Sequence, residues 1–230
     1  MKRTELIVAL DYPDLSSALQ LVDAAGTAVQ WYKVGKQLFT QCGPQVLQEL
    51  KCRGKKVFLD MKYHDIPNTV AGAVRSAAAI GADIINVHAS GGLAMMEAAA
   101  RVAGETGRTV IAVTVLTSMD AAALKETGIA APPEEQVVRL ALLAQRAGLA
   151  GVVCSPREIE AVHHACGNDF LTVVPGIRPA GAALGDQKRV MTPAEAHRAG
   201  ADCIVVGRPI TAAADPCAAA RTILAELDEA

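Results

Sequence analysis

Short apolar segments alternate with longer amphipathic or Ala-rich segments along the whole chain. The apolar segments have the length of strands and are rich in β-branched residues, which favours buried β-strands. Eight of them occur, at residues 6–10, 29–34, 57–59, 84–87, 110–116, 152–154, 171–174 and 203–206. The intervening segments show the pattern of helices, at residues 15–25, 44–53, 69–80, 93–103, 134–147, 156–166, 193–199 and 216–227.

Strands that alternate with helices throughout a chain predict a parallel sheet. A weak internal repeat supports this, because Ile80-Gly81-Ala82-Asp83 and Ala199-Gly200-Ala201-Asp202 each lead into an apolar segment. No G-x-G-x-x-G motif follows the first predicted strand, as a dinucleotide-binding fold would require. We therefore predict an α/β protein, a single-domain (β/α)8 TIM barrel over residues 1–230, with its longest irregular segments at residues 117–133 and 175–192.

The composition agrees with this fold and argues against several classes of function. Hydrophobic residues make up 51% of the chain and aromatic residues only 3%, so we expect an aliphatic core, as in parallel sheets. The net charge of -2, without a basic tract, argues against a nucleic-acid-binding surface. No apolar stretch reaches the ~18 residues of a membrane span, and no signal peptide is recognised. The six scattered cysteines, without a C-x-x-C pair, are typical of a cytoplasmic protein.

A charged cluster follows the third apolar segment. Asp60 and Lys62 come directly after residues 57–59, and Asp65 lies in the turn beyond them. In an extended segment, residues two apart lie on the same face, so we expect the Asp60 carboxylate and the Lys62 ammonium to be neighbours. A solvated loop is the simplest alternative. The apolar residues before Asp60 and the alternation of charges favour a functional cluster instead.

Polar residues follow nearly every predicted strand. In an α/β barrel the reactive groups lie at the carboxyl ends of the strands, so these residues are expected to converge on one mouth. Taken singly, some have a structural explanation, such as a helix cap for Asp11 or a hydrogen-bonded core residue for His88. The residues at the strand ends are Asp11, Lys33, Asp60, Lys62, His88, Thr117, Ser118, Ser155, Arg178 and Arg208.

The segments after the seventh and eighth strands predict a phosphate site, because barrels of this kind commonly bind phosphate there. Gly207 lets backbone N–H groups approach an anion, and Arg208 adds a cationic side chain with several donors. The long segment that starts at Pro175-Gly176-Ile177-Arg178-Pro179 and ends at Gly185-Asp186-Gln187-Lys188-Arg189 is Gly-rich, which suits a lid over a ligand.

Seven motifs carry a resemblance that covers the chain from the first predicted strand to the last. They are Ala9-Leu10-Asp11, Lys33-Val34-Gly35, the D-x-K-x-x-D-I-P-x-T stretch from Asp60 to Thr69, Val87-His88-Ala89, Val115-Leu116-Thr117-Ser118, Pro175-Gly176-Ile177-Arg178 and Val206-Gly207-Arg208. Together they resemble the orotidine 5'-phosphate decarboxylase family. Related phosphosugar decarboxylases and synthases share part of D-x-K-x-x-D, whereas Lys33, Arg178 and Gln187 make the resemblance more specific.

The resemblance implies loss of CO2 from C6 of orotidine 5'-phosphate, without a metal or an organic cofactor, to give uridine 5'-phosphate in pyrimidine synthesis. Lys62 is then expected to stabilise the carbanion at C6 and to protonate it. Asp60 is expected beside the departing carboxylate. Lys33 and Asp65 are expected to complete an alternating chain of charges that keeps Lys62 charged and aimed.

The resemblance also implies the groups that bind the substrate. Asp11 is expected at the ribose, and Thr117 and Ser118 near the pyrimidine. The expected phosphate contacts are Arg178, Gln187, Gly207 and Arg208, with Pro175 also at the binding site. Asp65, Ile66 and Thr69 are expected to reach the neighbouring subunit's site, which implies a homodimer.

Other functions remain open at this point. A metal-dependent phosphosugar decarboxylase or aldolase on the same barrel would need oxygen ligands for a hard cation, near the position of Lys33. A barrel that binds a nucleotide without turning it over would not require the set of Asp60, Lys62 and Asp65. A zinc site at His163 and His164 is disfavoured, because adjacent residues of a helix point in different directions.

Overall fold

The structure, a computed structural model, describes residues 3–179 and 191–229. Each strand pairs in parallel with the next strand along the chain, and the eighth pairs with the first, so the sheet is a closed barrel. This confirms the predicted (β/α)8 fold. The strands are β1 (Glu5–Leu10), β2 (Trp31–Gly35), β3 (Lys56–Tyr63), β4 (Ile84–His88), β5 (Thr109–Val113), β6 (Gly151–Val153), β7 (Leu171–Pro175) and β8 (Cys203–Val206).

Successive side chains of each strand point to opposite faces of the sheet, so alternate residues belong to two different apolar regions. On β1, Ile7 and Ala9 belong to a small cluster that fills the barrel, together with Phe58, Ile84 and Ile111. Leu6, Val8 and Leu10 instead belong to the larger cluster between the sheet and the helices. The barrel is therefore a packed core, and its reactive groups can only lie at its ends.

The helices surround the sheet, with one or more in most of the connections between strands. They are α1 (Leu15–Ala25), α2 (Lys36–Cys42), α3 (Gln45–Cys52), α4 (Pro67–Ala79), α5 (Leu93–Thr106), α6 (Ala121–Glu126), α7 (Pro133–Arg146), α8 (Ile159–Cys166), α9 (Pro193–Arg198), α10 (Arg208–Thr211) and α11 (Pro216–Asp228). No helix within the described ranges is long and apolar enough to cross a membrane.

Several helix boundaries differ from the predicted ones for local reasons. α4 starts at Pro67 instead of residue 69, because proline is favoured in the first turn, where its missing N–H is not needed. The segment predicted as one helix at residues 156–166 begins with the 3-10 turn Pro156–Glu158. α6 lies inside a segment predicted to be irregular, and its start is capped by Asp120, whose carboxylate accepts a hydrogen bond from the N–H of Ala123.

Two strand boundaries bear on the site. β3 continues past residue 59 to Tyr63, so Asp60 and Lys62 belong to the strand itself. β5 ends at Val113, short of the predicted residue 116, so Thr117 lies in the connection that follows. Both differences from the predicted strand ends lie at the carboxyl end of the barrel, where the paired strands end and the loops begin.

Candidate active site

Four charged side chains form a continuous network at the carboxyl end of the barrel. The Lys62 ammonium lies 2.5 Å from Asp60 Oδ1, and the Lys33 ammonium lies 3.4 Å from Asp60 Oδ2. Lys33 Nζ also lies 3.2 Å from Asp11 Oδ1. The structure therefore brings together the strand-end residues of β1, β2 and β3, and the predicted contact between Asp60 and Lys62 is confirmed.

The network runs from solvent into the barrel. The exposed fraction of the side chain is 67% for Asp11 but only 12% for Lys33 and 13% for Asp60, with Lys62 at 26%. Burial alone would raise the pKa of Asp60. The ammonium groups of Lys33 and Lys62, with hydrogen bonds from Lys62 and Asn86, outweigh burial and hold that pKa below its usual value. Asp60 is therefore a fixed negative charge between two positive ones.

The backbone places Lys62 beside Asp60 in a way that the sequence spacing did not predict. The β3–β4 register shifts between the pairs Leu59 with Ile85 and Tyr63 with Val87, so three residues of β3 lie opposite Asn86 alone. Lys62 has a φ of 54°, the one positive φ outside glycine among residues 3–179 and 191–229. An irregular bulge, not a regular extended strand, therefore turns the Lys62 side chain towards Asp60.

Asn86 is the site residue that sequence reasoning missed. Its side-chain oxygen accepts a hydrogen bond from the backbone N–H of Lys62 at 2.7 Å, and its amide donates to Asp60 Oδ1 at 2.7 Å. The residue is fully buried in β4. A polar Asn inside the otherwise apolar segment of residues 84–87 was the available signal, because buried polar groups require partners.

A cavity of about 170 Å³ opens beside the charged network. Lys33, Asp60 and Lys62 form its charged side, and apolar residues of the barrel close the rest. Thr117 and Pro175, two of the predicted binding residues, also line this cavity. Ser118, next to Thr117, is exposed on the turn after β5. The cavity therefore presents one polar wall and one apolar wall to a ligand.

The predicted phosphate residues lie at the ends of β7 and β8. A Cβ atom at Gly207 would lie 3.8 Å from Ala9 Cβ and 4.0 Å from Asp11 Oδ2, which places this glycine beside the network. Arg208, directly after it, is exposed at the start of α10. Arg178 donates from Nη1 to the carbonyl oxygen of Ile177. Gln187, like the whole segment 180–190, lies outside the described residues.

Three predicted residues lie away from the network of their own chain. Asp65, Ile66 and Thr69 are exposed, and 68% of the Ile66 surface is accessible. The Asp65 carboxylate accepts a hydrogen bond from the N–H of Ile66, and within the described part of the chain it forms no ion pair. The alternating chain of charges thus runs through Lys33, Asp60 and Lys62 without Asp65.

The remaining strand-end residues have structural surroundings of their own. His88 is half-buried and stacks on His64, with ring centroids 5.6 Å apart. Burial, followed by the nearby His64, Lys62 and Lys36, lowers the pKa of His88. Ser155 is fully buried, and its N–H donates to Glu158 Oε2. The helix cap considered for Asp11 is supplied by Asp14, whose carboxylate accepts from the N–H of Ser17.

The possible zinc site at His163 and His164 has no supporting geometry. His163 Nε2 lies 3.4 Å from Thr172 Oγ1 and 3.8 Å from Asp202 Oδ2 at the opposite end of the barrel, and His164 is exposed. Across residues 3–179 and 191–229, no group of three or more His, Cys, Asp or Glu side chains is arranged to hold a metal ion.

The fold and the site together define a (β/α)8 barrel with a network of alternating charges at the carboxyl ends of its strands. A profile of the Orotidine 5'-phosphate decarboxylase / HUMPS family matches residues 4–223. The chain therefore belongs to this family, as the sequence motifs indicated.

Individual relatives are similar over nearly the full chain. The orotidine 5'-phosphate decarboxylase of Halorhodospira halophila is 59% identical over 224 residues, which cover 96% of this chain and 95% of the relative. That of Anaeromyxobacter sp. is 58% identical and covers 99% of this chain and 100% of the relative. The crystal structure of orotidine 5'-phosphate decarboxylase from Lactobacillus acidophilus superposes with a TM-score of 0.86, at 39% identity, and covers 99% of this chain and 100% of that one.

Proposed function

We propose that this chain converts orotidine 5'-phosphate into uridine 5'-phosphate and CO2, the last step of de novo pyrimidine nucleotide synthesis. The observation that carries the proposal is the buried Asp60 carboxylate held between the ammonium groups of Lys33 and Lys62 beside a cavity. The relatives that are 52% to 59% identical to the chain bear the name of this activity. Both lines of support favour this reaction over that of a metal-dependent phosphosugar decarboxylase or aldolase, and over a barrel that binds a nucleotide without turning it over.

The chemical difficulty of the reaction defines what the site must supply. Loss of CO2 leaves an electron pair at C6 in the plane of the pyrimidine ring, where the π system cannot delocalise it. A positive group fixed beforehand next to C6 stabilises that charge without reorganisation during the reaction. We assign this role to the Lys62 ammonium, which then donates a proton to C6. On this assignment the reaction needs neither a metal nor an organic cofactor.

The neighbours of Lys62 support this role. Because the pKa of Asp60 is lowered, its carboxylate is ionised and attracts the Lys62 ammonium, which lies 2.5 Å from Asp60 Oδ1. The same carboxylate is proposed to lie beside the departing CO2 group, where repulsion favours its loss. Lys33 stabilises the charge of Asp60 from the other side, at 3.4 Å. The alternation of charges thus fixes the position of the proton donor.

The remaining polar residues of the mouth are proposed to bind the nucleotide. Asp11 would accept hydrogen bonds from the ribose, since it is exposed next to Lys33 and Gly207. Thr117 and Ser118 would contact the pyrimidine, and Pro175, which lines the cavity, would also contact the substrate. The phosphate would be bound by Gly207 and Arg208, with Arg178 and Gln187 from the segment after β7. Binding energy of the phosphate, remote from C6, can then contribute to the rate of the chemical step.

A homodimer is also proposed, in which Asp65, Ile66 and Thr69 reach the site of the neighbouring subunit. The exposure of these residues and the absence of an Asp65 ion pair within the described chain support this arrangement. We further propose that residues 1–230 form one domain and that the protein is cytoplasmic. The six cysteines, all free thiols, support the proposed location.

The first experiment follows the ultraviolet absorbance of orotidine 5'-phosphate, with a chelator present, for the wild type and for Lys62→Ala. Turnover by the wild type with loss of activity in the variant supports the reaction and the role of Lys62. Wild-type activity that disappears with the chelator would favour the metal-dependent alternative. Tight binding of uridine 5'-phosphate without turnover would favour a nucleotide-binding protein.

The shared site can be tested by mixing two inactive variants. Lys62→Ala and Asp65→Ala are unfolded and refolded together, so that mixed dimers form. If Asp65 acts in the partner's site, each mixed dimer holds one site with both residues intact, and about a quarter of the wild-type activity returns. No recovery, with mixed dimers present, would contradict the shared site.

A further inference from the structure

Asn86 connects the backbone of Lys62 to the carboxylate of Asp60. Its side-chain oxygen accepts from the Lys62 N–H, and its side-chain nitrogen donates to Asp60 Oδ1, both at 2.7 Å. The orientation of this amide is unambiguous, because a backbone N–H can only donate and an ionised carboxylate can only accept. Both polar atoms of a fully buried side chain are thus used on the two residues nearest the proposed chemistry.

The interior of the barrel explains why a residue of β4 reaches this position. Asn86 is two residues after Ile84, which fills the barrel, so its side chain lies on the same inward face. Asp60 is likewise two residues after the inward-facing Phe58, and Lys33 pairs with Phe58 across the sheet. Lys33, Asp60 and Asn86 thus form a polar layer on top of the apolar filling of the barrel.

The bulge in β3 creates a specific need for Asn86. Three residues of β3 lie opposite one residue of β4, so the N–H of Lys62 lies outside the regular pairing of the two strands. A buried N–H without an acceptor is destabilising, and the positive φ of Lys62 is unfavourable for a residue with a Cβ atom. The Asn86 oxygen satisfies this N–H and so favours the backbone conformation that turns Lys62 towards Asp60.

The amide of Asn86 also fixes the rotation of the Asp60 carboxylate. Oδ1 receives both the Asn86 amide and the Lys62 ammonium, which leaves Oδ2 to face Lys33 at 3.4 Å. Rotation of the carboxylate would break all of these contacts together. The positions of the Asp60 carboxylate and of Lys62 therefore depend on Asn86, although Asn86 carries no charge itself.

We propose that Asn86 is a positioning residue for the decarboxylation, acting through Lys62 and Asp60 without touching the reacting atoms. This inference rests on the proposed function of Lys62. Holding a catalytic group in place contributes strongly to rate, since a misplacement of about 1 Å can cost ~100-fold. The loss on removing Asn86 is therefore expected in kcat, because substrate binding by the phosphate and ribose contacts does not involve this residue.

The test compares Asn86→Ala and Asn86→Asp with the wild type, using steady-state kinetics and uridine 5'-phosphate binding by calorimetry. For Asn86→Ala we expect kcat to fall about 100-fold while KM changes less than about threefold. Thr172→Val is the matched control, because Thr172 is equally buried on β7 and its hydroxyl bonds Asp202 away from the site. The control is expected to lower the melting temperature and to leave kcat unchanged.

Asn86→Asp gives a second readout that a purely structural role would not produce. The new carboxyl lies next to Asp60 and near the Lys62 ammonium, which contacts the same Asp60 oxygen. Burial and the like charge of Asp60 favour its protonated form, and the Lys62 ammonium opposes this. In its protonated form it can donate to Asp60 and accept from the Lys62 N–H, as the amide does. We therefore expect the kcat of this variant, relative to the wild type, to rise as the pH is lowered from about 8 to about 6.

Three outcomes would contradict the proposal. Wild-type kcat in Asn86→Ala would show that the bulge holds Lys62 without help. A loss confined to KM would assign Asn86 to substrate binding, and a relative kcat of Asn86→Asp that does not change with pH would assign Asn86 to general stability. Absence of turnover in the wild type would overturn the proposed function and, with it, this inference. A wild type that turns over, with unchanged kcat in Asn86→Ala, would overturn this inference alone. If Asn86→Ala does not fold, the pH profile of Asn86→Asp decides.

Discussion

Lys33 and Asp60 form a largely buried ion pair across neighbouring strands, with 3.4 Å between Nζ and Oδ2. Each side chain is less than one seventh exposed, at 12% and 13%. The pair would be an ordinary buried salt bridge if Lys62 did not approach the same carboxylate from the other side. Asp60 therefore contacts both ammonium groups, whereas the exposed Asp11 contacts Lys33 alone, so the energetics of the network depend mainly on Asp60.

The first prediction concerns the stability of this network. Asp60→Asn leaves two ammonium groups close together in a partly buried site, so we expect the free energy of unfolding to fall by about 3 kcal/mol. Lys33→Met should cost less, because Asp60 keeps Lys62 as its partner. The double variant should be more stable than Asp60→Asn, since the repulsion between the lysines is removed. Urea unfolding of the four proteins measures these differences.

The same four proteins form a double-mutant cycle, which measures the coupling between Lys33 and Asp60. We expect the effects of Lys33→Met and Asp60→Asn to be non-additive by about 1 kcal/mol or more, as for residues in one charge network. Additive effects would mean that the lysine and the carboxylate are independent in solution. Arg75 and Glu105 form an exposed ion pair between α4 and α5 and serve as a control, with an expected coupling of less than ~1 kcal/mol.

The second prediction concerns the pH dependence of stability through His88. Burial, with the positive charges around it, lowers the pKa of His88 below the ordinary 6.5. The folded protein thus binds fewer protons at this residue than the unfolded chain does, so stability falls as the pH drops below about 6.5 and continues to fall until the folded pKa is passed. We expect His88→Gln to reduce the change in melting temperature between about pH 7 and about pH 5.

The control for this experiment is His164→Gln, which replaces an exposed histidine on α8. This variant should retain the wild-type dependence of melting temperature on pH. If the melting temperature falls equally in His88→Gln and in the wild type over that pH range, then His88 does not contribute to the loss of stability in acid. The absolute melting temperature of either variant is not informative here, because the substitution also changes packing and hydrogen bonds.

The third prediction concerns the proposed phosphate contact of Arg208. Loss of a charge-assisted hydrogen bond to phosphate costs about 1.5–3 kcal/mol, so Arg208→Ala should raise KM for orotidine 5'-phosphate by roughly 10-fold to 100-fold. With orotidine, which lacks the phosphate, the variant and the wild type should react at the same rate. Arg139→Ala, on the outer face of α7, removes an exposed arginine paired with Glu135 and should change neither rate.

Unchanged kinetics of Arg208→Ala would refute the phosphate assignment. An equal loss with orotidine and with orotidine 5'-phosphate would show that Arg208 supports the fold of the mouth and does not bind the phosphate. The comparison of the two substrates therefore tests where along the nucleotide the guanidinium acts.

The architecture was predictable from sequence because its signal is repeated. Each βα unit shows an apolar segment and an amphipathic one, so an error in one boundary does not change the count of eight strands. The boundaries themselves were less predictable. The apolar pattern predicts an end of β3 at residue 59, because Asp60 and Lys62 interrupt it, yet the strand continues to Tyr63. In sequence, a strand that ends in charged residues looks the same as a polar loop, because the ion-pair partners of those residues lie on other strands.

The site was predictable in its members more than in its geometry. Lys33, Asp60 and Lys62 were placed at one mouth because parallel strands share their carboxyl ends, and the structure confirms it. The bulge that turns Lys62 was not predictable, since it depends on Asn86 of a different strand. Periodicity within one segment carries no information on the register between two segments, and a positive φ at a lysine has no sequence signature.

The last prediction uses two glycines to separate the packing of the barrel from helix propensity. A Cβ atom at Gly151, in β6, would overlap the carbonyl oxygen of Leu171 in the neighbouring strand, so the backbone must shift. We expect Gly151→Ala to lower the free energy of unfolding by about 1–3 kcal/mol. Gly104, exposed in α5, has no atom within 4 Å of such a Cβ, and Gly104→Ala should raise stability by roughly 0.5–1 kcal/mol. Urea unfolding should give shifts of opposite sign, and a neutral Gly151→Ala would mean that β6 and β7 are less closely packed than their pairing indicates.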